Sequence, residues 1–416
     1  MMAILSKRIV LFTLLCVAAT PLPSLGQSRA RERNRKEAAA PRFDPRTGKA
    51  VNRAIEELQA GRPNEAGEIL EKINLDRASP YEVGRIEQLL ASIAQTQEKY
   101  SLAREHLASA LASGGLNDKE MSSVQFQIAK LYLADEKWNE GLQVLKEWFA
   151  KEPSPNSAAY YTLAAVYYQL GDVGAAAEPA QKAVDLAGEN PQETWLQLLL
   201  AVRFRREEYN LALPILLQLV ERVPDKKVYW IQGVAVALSI EKYETATALM
   251  QLAHMNGILT DGAEIRRLAE LLAHEGIPYR AAQILTQAID RKQLAADSAV
   301  YEFLGNCWIA AREYKKAIEP LDRAGELADT GEPFVRLAEV YFQQEDWTNA
   351  AAVLQRGFGK GKLKRLGNAQ LMMGLALYNQ KKLNDARTWF ERAQTHSESR
   401  TQAEGWLRHT QQELDG

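Results

Sequence analysis

Histidine and cysteine are the residues of this sequence whose chemistry is most easily used for catalysis or metal binding. The histidines are far apart, and no two have the short spacing that zinc sites use. Neither a Gly-x-Ser-x-Gly turn nor a plausible Cys/His pair occurs, so nucleophilic catalysis has no support. The sequence predicts no metal, no cofactor and no enzymatic activity. The histidines are His106, His254, His274, His396 and His409.

A glycine- and lysine-rich segment, residues 357–362, invites comparison with a phosphate-binding loop. It lacks the four-residue gap and the final Ser or Thr of such a loop, and it follows no predicted strand. We predict a flexible connection with solvated lysines. A salt-sensitive contact with an acidic partner is the alternative.

The first 26 residues have the pattern of a secretory signal peptide. Lys7 and Arg8 precede an apolar run over residues 9–19, and small residues follow as far as Gly26. The run would rise only about 16 Å as a helix, too little to span a bilayer. We expect a periplasmic chain without a membrane span after cleavage, in which Cys307 is the remaining cysteine and a buried thiol.

Residues 27–46 are predicted to form a basic, flexible arm because they lack apolar periodicity. The arm is a solvated linker in one interpretation and a peripheral contact with anionic lipid or an acidic partner in the other. The formal net charge of -2 is spread along the chain, which argues against a nucleic-acid partner.

From residue 47 the chain repeats with a period of about 35 residues, which is typical of stacked helix pairs. Each repeat has two positions that we call slots, one per helix, where a small residue would let the helices cross closely. The first slot holds Ala54, Ala91, Ala129, Ala164, Leu200, Val234, Ala269, Gly305, Ala338 and Gly374. The second slot holds Ala66, Ala103, Gly141, Ala176, Ala212, Ala246, Ala281, Ala317, Ala350 and Ala386.

The slots predict an all-α fold of about ten helix-turn-helix repeats over residues 47–399. Leu200 and Val234 are larger than the rest, so we expect wider crossings in the fifth and sixth pairs. Residues 400–416 carry one apolar stripe and are otherwise polar, which predicts a C-terminal capping helix.

The repeat resembles the tetratricopeptide repeat (TPR). One repeat matches closely through Tyr160, Leu163, Ala164, Tyr167, Gly171, Ala176 and Ala183. This resemblance implies a superhelical solenoid whose first helices line a concave groove, and it is nearly silent about the partner.

A narrower resemblance is to periplasmic TPR proteins described as putative components of TonB/ExbB/ExbD systems. It implies a role in outer-membrane uptake of iron complexes and supplies no catalytic residue. It rests on residues 148–149 (Trp-Phe), 153–155 (Pro-Ser-Pro), 229–230 (Tyr-Trp), 276–282, 311–313, 361–365 and 403–407.

Groove residues follow from a second stripe on the first helices, offset from the core stripe. Aromatic rings mixed with amide and Arg side chains suit an extended peptide or a helix. Packing under a neighbouring repeat is the alternative, and the Lys/Asn carboxylate clamp of chaperone-binding TPR domains is not reproduced. The candidates are Phe126, Lys130, Tyr161, Tyr168, Gln169, Gln197, Phe204, Arg205, Asn306, Phe342, Gln343, Tyr378 and Asn379.

The sequence therefore predicts a non-enzymatic periplasmic scaffold that binds protein partners of a TonB system. The same scaffold could instead serve cell-envelope assembly or polysaccharide export. A secreted enzyme is the third class, and no residue constellation favours it.

Overall fold

The computed structural model describes residues 42–415, and the predicted signal peptide and most of the predicted arm lie outside this range. Within it the chain forms α-helices, one short 3-10 turn and no strand, which confirms the predicted fold class. The helices are α1 (Pro45–Gln59), α2 (Pro63–Glu71), α3 (Pro80–Thr96), α4 (Tyr100–Ala112), α5 (Asp118–Ala134), α6 (Trp138–Phe149), α7 (Ser157–Gln169), α8 (Val173–Ala187), α9 (Glu193–Arg205), α10 (Tyr209–Arg222), α11 (Lys227–Ser239), α12 (Tyr243–Met255), α13 (Gly262–His274), α14 (Pro278–Asp290), α15 (Ser298–Ala310), α16 (Tyr314–Leu327), α17 (Glu332–Gln343), α18 (Trp347–Lys360), α19 (Leu366–Asn379), α20 (Leu383–Ala393) and α21 (Arg400–Asp415).

Helices α1 to α20 form ten consecutive pairs, and α21 follows the tenth. The chain divides into two compact units at Ile215 and Leu216, inside α10. We call them the N-terminal unit and the C-terminal unit and describe each by itself.

Helix starts follow from local capping chemistry. Ser79 and Glu82 form a capping box at α3, in which each side chain bonds the backbone of the other residue. Asn117 with Glu120 does the same at α5. Such boxes satisfy N–H groups that the first helical turn leaves without partners. They therefore fix where these first helices begin.

The turn inside every pair is a Schellman motif, which ends the first helix with a residue in the left-handed conformation. In the second pair, Lys99 N donates to the Ala94 carbonyl (2.8 Å) and Glu98 N donates to Gln95 (2.9 Å). The motif satisfies carbonyls at the helix end, and the second helix begins two residues after the left-handed one. The left-handed residues are Gly61, Glu98, Glu136, Gly171, Glu207, Glu241, Gly276, Arg312, Glu345 and Lys381.

All residues of both slots are buried, which confirms the predicted register. A Cβ atom on Gly305 would lie 2.5 Å from Leu321 Cγ, and one on Gly374 would lie 2.4 Å from Phe390 Cε1. Gly233 precedes Val234 in the sixth pair, and its Cβ would lie 3.1 Å from Leu249 Cδ1. In the sixth pair, a glycine therefore lies one residue before the first slot. The wider helix crossings of the fifth and sixth pairs stay a prediction.

Helix α21 packs on the tenth pair through Ala403 and Trp406, which belong to the same apolar cluster as Phe390. The rings of Trp406 and Phe390 are stacked with centroids 6.0 Å apart. Helix α21 therefore covers the apolar side of the last pair, as the predicted capping helix should.

Candidate peptide-binding surface

The predicted groove residues occupy four places on the first helices. These places lie three residues before the first slot and one, four and five residues after it. Lys130, for example, follows the slot residue Ala129, and Phe126 lies three before it. The two units carry separate parts of this set. That the set binds a partner stays a prediction, and the structure gives the surroundings of each member.

In the N-terminal unit, Phe126 is half-buried and belongs to the apolar cluster around Leu145 and Val166. Its ring centroid lies 4.8 Å from that of Trp148 on α6, and Lys130 Nζ lies 5.4 Å from the Phe126 centroid. Phe126 therefore packs within its own pair and also supports the side chain of Lys130.

Tyr161 is 8% exposed and stacks on Trp195 of α9 with ring centroids 6.1 Å apart. This residue thus joins neighbouring first helices and offers little surface to a partner. Tyr168, Gln169 and Phe204 are half-buried, and Arg205 is exposed. The accessible part of the predicted N-terminal set therefore lies toward the ends of α7 and α9.

Gln197 is half-buried, and its amide donates to Glu193 one turn earlier (3.0 Å).

In the C-terminal unit, Asn306 accepts a hydrogen bond from Arg336 Nε of α17 (3.0 Å). Arg336 also pairs with Glu339 at 2.7 Å, so this part of the surface is cross-linked by its own polar groups. Phe342 lies edge-on to Trp347 with centroids 5.3 Å apart, while Gln343 is exposed.

Tyr378 is 8% exposed because α21 covers it. Its hydroxyl donates to Glu413 at 2.6 Å, and this hydrogen bond raises the pKa of Tyr378 to about 12. Asn379 next to it is exposed, and its amide donates to the Leu375 carbonyl of its own helix. Tyr378 thus holds α21 in place.

An apolar stripe on α11 is absent from the predicted set. Val228 is 51% exposed, Ile231 is 37% exposed, and Ala235 is also exposed. Ile231 and Ala235 lie three before and one after the slot residue Val234, the same places as Phe126 and Lys130. Counting from Val234 would have found them, so the signal was present in the sequence.

The glycine- and lysine-rich segment is helical as far as Lys360, so the prediction of a flexible connection is wrong for residues 357–360. Lys360 Nζ donates to the Glu326 carbonyl (2.8 Å) and the Ala328 carbonyl (2.7 Å) at the end of α16. These bonds satisfy carbonyls that the helix end leaves open. The connection is limited to residues 361–365, where Lys362 and Lys364 are exposed.

Cys307 is 3% exposed, and burial raises its pKa to about 11. A thiol with such a pKa is almost entirely protonated at neutral pH and is a poor nucleophile. The prediction of a buried thiol is confirmed, and its low reactivity stays a prediction. Across residues 42–415, no three His, Cys, Asp or Glu side chains are grouped so that they could hold a metal ion.

The family model described as tetratricopeptide repeat matches residues 126–191 and 335–401. Each of these two segments therefore matches the tetratricopeptide repeat. One matched segment lies in each unit, spanning most of α5 to α8 and most of α17 to α20. Their first helices carry nine of the predicted groove residues: Phe126, Lys130, Tyr161, Tyr168, Gln169, Phe342, Gln343, Tyr378 and Asn379.

Several solved structures are similar to this chain at low sequence identity. A tetratricopeptide repeat protein from Parabacteroides merdae is 16% identical over 68% of this chain and 93% of its own, with a TM-score of 0.38. The pilF protein of Pseudomonas aeruginosa is 21% identical over 50% of this chain and 91% of its own, with a TM-score of 0.38. MamA from Desulfovibrio magneticus is 20% identical over 43% of this chain and 95% of its own, with a TM-score of 0.37. Similarity at this level says nothing about partners.

A comparison with curated proteins found no match. None of the helices in residues 42–415 has the length and apolar character needed to cross a bilayer.

Proposed function

We propose that this TPR chain is a non-enzymatic periplasmic scaffold that supports TonB-dependent transport of iron complexes by binding a peptide or helix of a partner protein. The observation that carries the binding role is the mixed surface of the first helices. In the C-terminal unit it combines exposed apolar side chains, such as Ile231, with exposed polar ones, such as Gln343, and in the N-terminal unit Arg205 is exposed. Surfaces of this composition suit peptide or helix recognition.

The periplasmic part of the proposal is supported by the signal-peptide pattern of residues 1–26 and the TonB part by the family resemblance. The location is tested by fractionation and by N-terminal sequencing of the chain made in its native host. A mature N-terminus near residue 27 in the periplasmic fraction is expected, and an uncleaved cytoplasmic chain would contradict the proposal.

The transport role is tested by deleting the gene and measuring growth on a ferric complex that requires TonB, with a TonB-independent iron source as control. We expect the deletion mutant to grow poorly on the ferric complex that requires TonB and to grow normally on the TonB-independent iron source. Equal growth of mutant and parent on both would refute the transport role and leave the binding role intact.

The binding role is tested by photocrosslinking in the host from exposed first-helix positions, namely Arg205, Ile231 and Gln343. Glu147, exposed on the second helix α6, is the matched control position. We expect crosslinks to TonB, ExbB, ExbD or one of their client proteins from the first-helix positions alone. Recovery of envelope-assembly or polysaccharide-export proteins instead would replace the TonB partner with that system.

A further inference from the structure

Lys130 is a cation without a counter-charge in the N-terminal unit. Its side chain is half-buried on α5, directly after the slot residue Ala129, and its ammonium lies 5.4 Å from the Phe126 ring centroid. No Asp or Glu of residues 42–415 forms an ion pair with it. A face-on aromatic ring is a weak partner for an ammonium compared with a carboxylate.

The other half-buried or buried Lys and Arg side chains of this unit all have carboxylate partners. Arg85 pairs with Glu120, Arg104 with Asp135 at 2.8 Å, and Arg203 with Glu208 at 2.6 Å.

Burial of a charge without a partner is costly, because the protein does not replace the water that the ion loses. In agreement, burial lowers the pKa of Lys130. A carboxylate brought to this position from outside would restore the lost interaction.

The groove places on the other first helices of the N-terminal unit hold no Asp or Glu that could pair with Lys130. The four groove places, together with the place six residues before the first slot that Val228 occupies on α11, hold three cations in α1, α3, α5, α7 and α9 and no Asp or Glu. The cations are Arg85, Lys130 and Arg205. On either side of Lys130, the place one after the slot holds Ser92 on α3 and Ala165 on α7.

The C-terminal unit has the opposite charge at these places. Helices α11, α13, α15, α17 and α19 carry one cation there, Arg266, and four acids. Glu270 pairs with Arg266 at 2.9 Å and Glu339 with Arg336 at 2.7 Å, as Arg85 pairs with Glu120 in the N-terminal unit. The summed charge at these places is positive in the N-terminal unit and negative in the C-terminal unit, which favours an acidic ligand on the N-terminal unit. The acids are Glu270, Glu302, Glu332 and Glu339.

We propose that the first-helix surface of the N-terminal unit binds an acidic peptide segment of the partner, and that a side-chain carboxylate of that segment pairs with Lys130. This inference rests on the proposed binding role and narrows its partner. A segment is favoured over a chain end because helix pairs continue on both sides of α5, so the surface extends past Lys130 in both directions. The Phe126 ring then holds the ammonium from one side, and half-buried side chains on the next first helix, such as Tyr168 on α7, offer contact area.

The test is peptide selection on the full chain with a random library displayed on phage as internal fusions, which have no free carboxyl terminus. We expect the wild type to enrich sequences rich in Asp and Glu. An enriched peptide is then synthesised with both ends blocked, and its affinity is measured by fluorescence anisotropy. Lys130→Met should weaken binding at least tenfold, which corresponds to about 1.4 kcal/mol. Lys130→Arg should stay within a few-fold of the wild type.

Lys146→Met is the matched control. Lys146 also lies over a ring, 5.7 Å from the Tyr167 centroid, but it is exposed on the second helix α6. This variant should bind the peptide like the wild type. Lys130→Met should also melt at the same temperature as the wild type or higher, since it removes a charge that is costly to bury.

Three results would overturn the proposal, and they separate it from the broader binding role. Enrichment of neutral or basic peptides refutes the acidic ligand and leaves peptide binding intact. Acidic peptides that bind Lys130→Met as tightly as the wild type refute the role of Lys130. A library that yields no binder refutes both this inference and the proposed peptide-binding role.

Discussion

The turn of each helix pair contains one residue in the left-handed conformation. Where this residue is charged instead of glycine, we expect it to lower the stability of the chain. Glycine holds this place in three pairs, at Gly61, Gly171 and Gly276, and a charged residue holds it in the other seven. Glu98 (φ 58), Glu136 (φ 55) and Glu207 (φ 56) are the three glutamates of this kind in the N-terminal unit. All three are exposed.

The magnitude follows from two opposing backbone effects. A residue with a Cβ atom pays about 1–2 kcal/mol in the left-handed conformation. Replacing it by glycine removes that cost and adds about 0.5–1 kcal/mol of backbone entropy lost on folding. The net expectation is that each Glu→Gly change stabilises the unit by about 0–1.5 kcal/mol, with a central value of about 0.8 kcal/mol. The sites lie in different pairs and share no contacts, so a triple variant should gain about 2 kcal/mol.

Thermal and urea unfolding of single, double and triple variants measures the gain. For a unit of this size, each kcal/mol raises the melting temperature by about 2–4 °C. Hydrogen exchange of α3 to α10 should show where the stabilisation acts, since unfolding of a repeat array need not be a single step.

Two controls separate the turn effect from a general effect of glycine. Glu105 is exposed in the middle of α4, so Glu105→Gly should destabilise by about 1 kcal/mol. Gly171 is already left-handed (φ 81), so Gly171→Glu should destabilise as well. If Glu98→Gly and Glu136→Gly lower the melting temperature as Glu105→Gly does, these residues are not left-handed and the reasoning fails.

Three further predictions concern packing, pH and thiol chemistry. Gly374→Val should cost several kcal/mol in urea unfolding, because even a Cβ atom would lie 2.4 Å from the Phe390 ring; wild-type stability would contradict this close crossing. The hydrogen bond from Arg104 lowers the pKa of Asp135 below its usual value. The stability that this carboxyl adds is therefore present above about pH 4 and is lost as the pH falls through the folded pKa. Arg104→Gln should reduce this loss in thermal melts from pH 6 to pH 2, and an unchanged dependence of the melting temperature on pH would refute it. Cys307 should react with iodoacetamide at pH 8 far more slowly in the folded chain than in urea, because its pKa is about 11 and it is buried; equal rates would show that the thiol is accessible.

The sequence alone was sufficient for the helix pairs and their register. Small residues such as Ala317 and Gly374 recur where two helices of one pair cross, and this requirement is local to about 35 residues. The capping helix was predictable for the same reason, since a single apolar stripe on residues 400–416 needs one neighbour to cover it.

Which groove candidates stay accessible was decided by tertiary structure. Tyr161 and Arg205 are both predicted groove residues on the second stripe of a first helix. Tyr161 is covered by Trp195 of the following pair, whereas Arg205 is exposed. Tyr378 is covered by α21, which lies later in the chain. Periodicity assigns a side chain to a face of its own helix, whereas burial depends on the size of the side chains that the next helix brings to that face.

The lack of a counter-charge at Lys130 also needed the tertiary structure. The sequence contains enough acidic residues near it in the chain, including Glu120 and Asp135, to supply a partner. Only the folded chain shows that Glu120 pairs with Arg85 and Asp135 with Arg104. An ion pair depends on where two side chains meet across different helices, and a one-dimensional pattern does not contain that distance.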